Sequence, residues 1–203
     1  MEGEKKLKFK KRMILGITLA MGLGSVVPTY AMDFTAYDFQ GKELLSESAA
    51  KRTTELLEQF PDYMLVNYLN HGGKITFKNG AVTEESAIGR YWWDSKKIYI
   101  RADLYNVYPE YQNFDDEYAW TILHEIGHFY YRNYLYRLDN STKEMLKDNN
   151  SFYRDVYDSC YNDDETFAEI FSLYYMTRNS EYTPRFYPYD KLEEIVKTEM
   201  EIN

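Results

Sequence analysis

The chain has 203 residues and a formal net charge of −9, with 33 acidic residues against 24 basic ones. That length suits one domain with a full hydrophobic core. Its single cysteine, Cys160, excludes an internal disulfide. With no histidine beside it in sequence, Cys160 reads as a small buried residue rather than a nucleophile.

Residues 1–31 have the layout of a secretory signal. Lys5, Lys6, Lys8, Lys10, Lys11 and Arg12 form a basic start, Met13 to Val27 an apolar run, and Pro28-Thr29-Tyr30-Ala31 a small-residue end. Cleavage is expected after Ala31, giving a secreted, extracellular protein. The apolar run is short and broken by Gly16, Gly22 and Gly24, which disfavours a spanning helix. Cleavage would remove six basic and two acidic residues, leaving 18 against 31 and a net charge of −13. A chain so acidic repels nucleic acid and anionic membrane surfaces, so neither is an expected partner.

Residues 32–203 are expected to form a single domain. An unstructured lead-in over 32–41 precedes a helix near Ser46 to Gln59, whose apolar residues recur at helical spacing and which stops before Pro61. A second helix starts at that proline and runs to Asn70-His71-Gly72-Gly73, where the glycines supply a left-handed stop. His71 thus falls in a last helical turn, a capping position rather than a ligand position. Lys74 to Lys78 alternates as a strand and meets the turn signal Asn79-Gly80. Ile88 to Trp93 and Lys97 to Arg101 flank Asp94-Ser95-Lys96 as a hairpin, so a small, mainly antiparallel sheet is expected.

After a linker with Tyr108-Pro109 comes a helix carrying His124-Glu125-Ile126-Gly127-His128, with Asp115 and Asp116 as candidate caps. Histidines four apart on a helix lie about 5–6 Å apart at Cβ, within reach of one metal ion. Zinc accepts two neutral imidazoles, and a catalytic site adds a third protein ligand while keeping one position for water. Glu125 follows the first histidine directly and is placed to serve as general base on that water. The helix is expected to fade near Arg137 to Asn140 and to give way to a polar connection over Lys143 to Asn150.

A last helix, capped by Asp163 or Asp164, carries Glu165 and Glu169 on one face and continues to Met176. Phe167, Ala168, Ile170, Phe171 and Leu173 surround the two acids, so the helix is expected to be buried on most sides. A buried carboxylate needs a cation, which zinc would supply. One glutamate would complete the ligand set and the other would hydrogen-bond a ligand histidine. The spacing alone leaves open which does which.

His124-Glu125-Ile126-Gly127-His128 followed by Glu165-Thr166-Phe167-Ala168-Glu169 resembles the catalytic domain of anthrax lethal factor and its relatives. These include the small secreted clostridial Pro-Pro endopeptidases, which match this chain better in size and leader. The likeness covers roughly residues 42–200 in layout, with its specific residues in those two motifs. It implies a zincin-like α+β fold, Glu165 as third ligand and Glu169 as support for a ligand histidine. It also implies a tyrosine upstream of the third ligand that donates to the oxyanion. The expected offset falls on Asp158, with Tyr157 one residue before it as the nearest match and Tyr161 three after as the alternative. By the same likeness proline is expected near the scissile bond, with Trp92 or Trp93 beside its ring; the two alternate across a strand, so one is expected to face the cleft and the other to pack.

The expectation is a secreted zinc endopeptidase, one Zn2+ per chain, that takes an extended peptide along the edge strand of the sheet. Its rivals are a zinc hydrolase of a non-peptide amide, which needs no edge strand, and an inactive binding module, against which the intact Glu125 argues.

Overall fold

The computed structural model describes residues 39–83, 87–107, 114–156, 162–178 and 189–202, with the side chains of 149–156 and 202 left aside. The expected signal segment, Tyr157, Asp158, Cys160 and Tyr161 lie outside these residues. Among the described residues no helix is long and apolar enough to cross a membrane.

Helix α1, Glu47–Leu57, begins where the Ser46 hydroxyl accepts the Ala49 amide, and it buries Ala49, Thr53, Leu56 and Leu57. Helix α2, Asp62–Asn70, follows Pro61. It ends at His71, whose Nδ1 bonds the Asn67 carbonyl oxygen at 2.8 Å and whose Nε2 lies 3.3 Å from Glu199. His71 therefore caps, and Gly72 at φ +82° turns the chain into the sheet.

Strands β1 (Lys74–Lys78), β2 (Gly89–Trp92) and β3 (Lys97–Arg101) form a sheet in the order β1-β3-β2. The hairpin pairing of β2 with β3 is antiparallel, but β1 joins the other edge of β3 in parallel. The sheet is thus mixed rather than mainly antiparallel. The buried Tyr68 hydroxyl explains how the parallel pair is pinned. It bonds the carbonyls of Lys74 and Lys96, one at the start of β1 and the other just before β3. The lead-in is also partly ordered: Gln40 bridges Thr76 on the outer edge of β1, and a 3-10 turn covers Lys42–Leu44.

A short helix α3, Leu104–Val107, leads toward α4, Asp115–Tyr134. Phe114 occupies the cap of α4 without a side-chain bond, so Asp115 and Asp116 act instead as first-turn acids near the helix's positive end. Asp115 accepts the Tyr105 hydroxyl, and Asp116 accepts Arg52 at 2.6 Å.

The expected polar connection after α4 is instead a helix, α5, Asn140–Val156. Asp139 accepts the Thr142 amide and hydroxyl at its start, and among the described side chains Leu138, Thr142 and Leu146 bury a stripe one residue wide per turn. So thin a stripe leaves the sequence reading as polar. Helix α6, Asp163–Thr177, is capped by Asn162 rather than by either aspartate: its side chain accepts the Glu165 amide at 2.9 Å. Helix α7, Tyr189–Ile202, closes the fold and packs on α2.

Helix α4 is the centre, contacting α1, α6, β2 and β3. Abundant tyrosine serves the core: Tyr130, Tyr134, Tyr175 and Tyr189 are buried with Phe129 and Phe171. Their hydroxyls remain bonded, Tyr130 to the Met64 carbonyl at 2.6 Å and Tyr134 to Asn67 at 2.9 Å.

Candidate metal centre

Two glycines bring three elements together. A Cβ on Gly127 would lie 2.8 Å from the Cα of Ala168, so glycine lets α4 and α6 approach closely at that crossing. His124 and His128 flank Gly127 on α4, and Glu165 and Glu169 flank Ala168 on α6, which sets the two motifs face to face. On the other side a Cβ at Gly89 would meet the Thr121 side chain at 2.3 Å and Glu125 Oε1 at 2.8 Å. Glycine there seats β2 directly on α4.

The His124 and His128 Nε2 atoms are 3.2 Å apart. Glu165 Oε2 lies 3.2 Å from the first and 3.6 Å from the second. Bonds of about 2.0–2.1 Å at tetrahedral angles subtend edges of about 3.3–3.4 Å between ligand atoms. The triangle therefore has the size of one face of a tetrahedral zinc site. Among the described residues, His124, His128 and Glu165 form a group that could hold a metal ion.

Carboxylates fix both rings from behind. Glu169 Oε2 stands 3.2 Å from His124 Nδ1, and Asp164 Oδ1 stands 2.5 Å from His128 Nδ1. An Nδ1 facing a carboxylate carries the proton, so each Nε2 presents its lone pair to the shared space. Two lone pairs 3.2 Å apart beside a carboxylate oxygen repel unless a positive charge lies among them, a metal ion or, without one, a proton on His124. Electrostatics agrees. Burial alone would lower the His124 pKa, yet the Glu165 and Glu169 carboxylates, with Glu125 nearby, push it up to about 10. At Asp164, burial acts to raise the carboxyl pKa, but the His128 bond and Arg132 hold it below its ordinary value.

Glu125 is buried beside the triangle, and its Oε2 accepts the Tyr91 backbone amide at 2.6 Å. That amide lies on the side of β2 away from β3, which no described strand pairs. The bond from Arg101 N to Ile88 O directs positions 88, 90 and 92 toward β3, which leaves 89 and 91 facing away. The Tyr91 ring is buried, and its hydroxyl lies against Asn133 of α4.

Of the residues singled out from sequence, the fold brings His124, Glu125, His128, Glu165 and Glu169 together. His71 stays with Asn67 and Glu199. Trp92 and Trp93 are 47% and 63% exposed, so neither packs as one of them was expected to. Sequence reasoning missed Asp164, assigned only a capping role, and also Arg132, Tyr91 and Gly89. The one available signal was Asp164's place next to Glu165, which puts a second acid at the same helix start. The Tyr91 contact is made by backbone, so no side-chain pattern announces it. No known protein family, curated protein or solved structure with which the chain was compared gave a match, so a reading of this centre rests on its own geometry.

Proposed function

We propose that the chain is a secreted zinc endopeptidase of the lethal factor-like kind, acting on extended peptides and preferring proline near the scissile bond. The observation that carries this reading is the His124–His128–Glu165 triangle, whose edges of 3.2, 3.2 and 3.6 Å suit tetrahedral zinc, with buried Glu125 beside it. Zinc bound there would act as a Lewis acid on the scissile carbonyl and on water.

The chain's own groups would do the rest. His124 and His128 would hold the ion through Nε2, their rings oriented by Glu169 and Asp164. Glu125 would take a proton from the attacking water and deliver it to the leaving amine as the C–N bond breaks. The Tyr91 amide keeps one Glu125 oxygen in place, which leaves the other for the proton. A substrate strand would pair with the remaining outward groups of β2, the Gly89 amide and the Gly89 and Tyr91 carbonyls. Trp92 and Trp93 would offer flat apolar surface to proline. By resemblance, Tyr157 or Tyr161 would donate to the oxyanion.

Digestion of a peptide library by the zinc-loaded protein, read by mass spectrometry, tests the reading. Cleavage that stops with chelation and returns with zinc is expected, enriched for proline next to the cut. Cleavage that survives complete metal removal overturns the zinc mechanism. A library in which proline-containing peptides are the poorest substrates overturns the specificity alone.

A further inference from the structure

The carboxylate behind His128 is itself held in place. Asp164 uses both carboxylate oxygens: Oδ1 meets His128 Nδ1 at 2.5 Å, and Oδ2 accepts Arg132 Nε at 2.9 Å and a second guanidinium nitrogen at 2.5 Å. Arg132 lies four residues after His128 on α4, so it and the histidine grip one α6 side chain from adjacent turns. Both guanidinium nitrogens converge on Oδ2 while Oδ1 meets the His128 ring, so the carboxylate is held at both of its oxygens and its plane is fixed between them. Since Asp164 directly precedes Glu165, the same grip sets the first turn of α6 against α4.

From this we infer that Arg132 is a positioning residue for the metal. It touches neither ion nor substrate, but by locking Asp164 it fixes the His128 ring and so sets how tightly the centre holds zinc. The inference rests on the reading that His124, His128 and Glu165 bind the ion. A simpler electrostatic view makes the opposite prediction. A guanidinium near the site repels a dication, so its removal should tighten binding. The lock is expected to prevail because Arg132 is 48% exposed and its charge is already matched by Asp164, which leaves little repulsion to relieve.

The experiment is a double-mutant cycle on the full mature chain, reading zinc affinity by competition with a chromophoric chelator. Circular dichroism of each metal-free variant checks the fold. Asp164→Asn should weaken zinc binding about 10–100-fold, and Arg132→Gln should weaken it about tenfold. In the Asp164→Asn background, Arg132→Gln should weaken it no further, because the path through Asp164 is already cut. Arg132→Lys, which keeps the charge but not the fork, should fall between wild type and Arg132→Gln, and it stands in should Arg132→Gln fail to fold. Affinity that is unchanged or tighter in Arg132→Gln overturns the inference, as does full additivity in the cycle. A wild-type chain that binds no zinc overturns the metal reading itself, and this inference with it.

Discussion

Two carboxylate clusters, one buried and one partly so, lie along α6, and they are finished differently. At one, Glu193 of α7 accepts the hydroxyls of Tyr63 and Tyr175 at 2.6 and 3.1 Å and pairs with Arg178 at 2.9 Å. One charge meets one countercharge, and the lone pairs are filled. At the other, Glu125, Asp164, Glu165 and Glu169 surround two imidazoles, with Arg132 bonded to Asp164 at the rim. That cluster draws a proton onto His124, whose pKa is pushed up to about 10 against the effect of burial. The first cluster is a lock between helices; the second could hold a cation from outside. A buried acid therefore signals function when its neighbourhood leaves negative charge over, and structure when the charge closes on itself.

The sharpest way to break this contrast is at Glu125, which belongs to the second cluster without being a ligand. Glu125→Ala should keep zinc and fold yet lose on the order of 10²–10⁴ in turnover, measured on a library-derived peptide. Near-native turnover would remove Glu125 as the base.

The next effect separates ligand from support. Glu165→Ala should emerge largely metal-free at micromolar zinc, whereas Glu169→Ala should bind about 10–100-fold more weakly. Elemental analysis of desalted, folded variants reads both. The reverse order would assign the third ligand to Glu169, despite its 3.2 Å contact with His124 Nδ1.

On the closed side, Arg178→Met should destabilise the fold by about 3 kcal/mol, the low end for breaking a buried pair because Arg178 is 31% exposed. Urea unfolding measures the loss, and zinc affinity should not move. A change in zinc affinity would mean that the two clusters are coupled through α6.

The smallest expected effect is at the start of α6. Asn162→Ala removes the side chain that accepts the Glu165 amide and should lower stability by about 1 kcal/mol, read by thermal unfolding, while leaving zinc bound. Loss of zinc in this variant would show that the cap, rather than the Arg132–Asp164–His128 contact, holds the first turn in register.

What the sequence settled by itself was local. Histidines four apart on an amphipathic helix must share a face, and Glu165 and Glu169 must share another, because the rise and turn of a helix fix those relations before any packing. The strands, the hairpin and helices α1, α2, α4 and α6 followed from apolar spacing and from glycine and proline stops. Three helices escaped this reading, the first being the four-residue α3, too short to show a period. At α5 the described buried side chains, Thr142 and Leu146 after Leu138 just before the helix, are too few to stand out from a polar segment. In α7 the spacing of Tyr189, Leu192 and Val196 was available but unused.

The remainder depended on contacts between residues far apart in the chain. The parallel seating of β1 rests on Tyr68, and the crossing of α4 with α6 on the fit of Gly127 against Ala168. That crossing decides that Glu165 reaches both Nε2 atoms while Glu169 stands behind His124 and Asp164 behind His128. Helical periodicity places side chains around one axis but leaves the distance and rotation between two axes free. Only the packed interface fixes those, and with them which carboxylate faces the two Nε2 atoms.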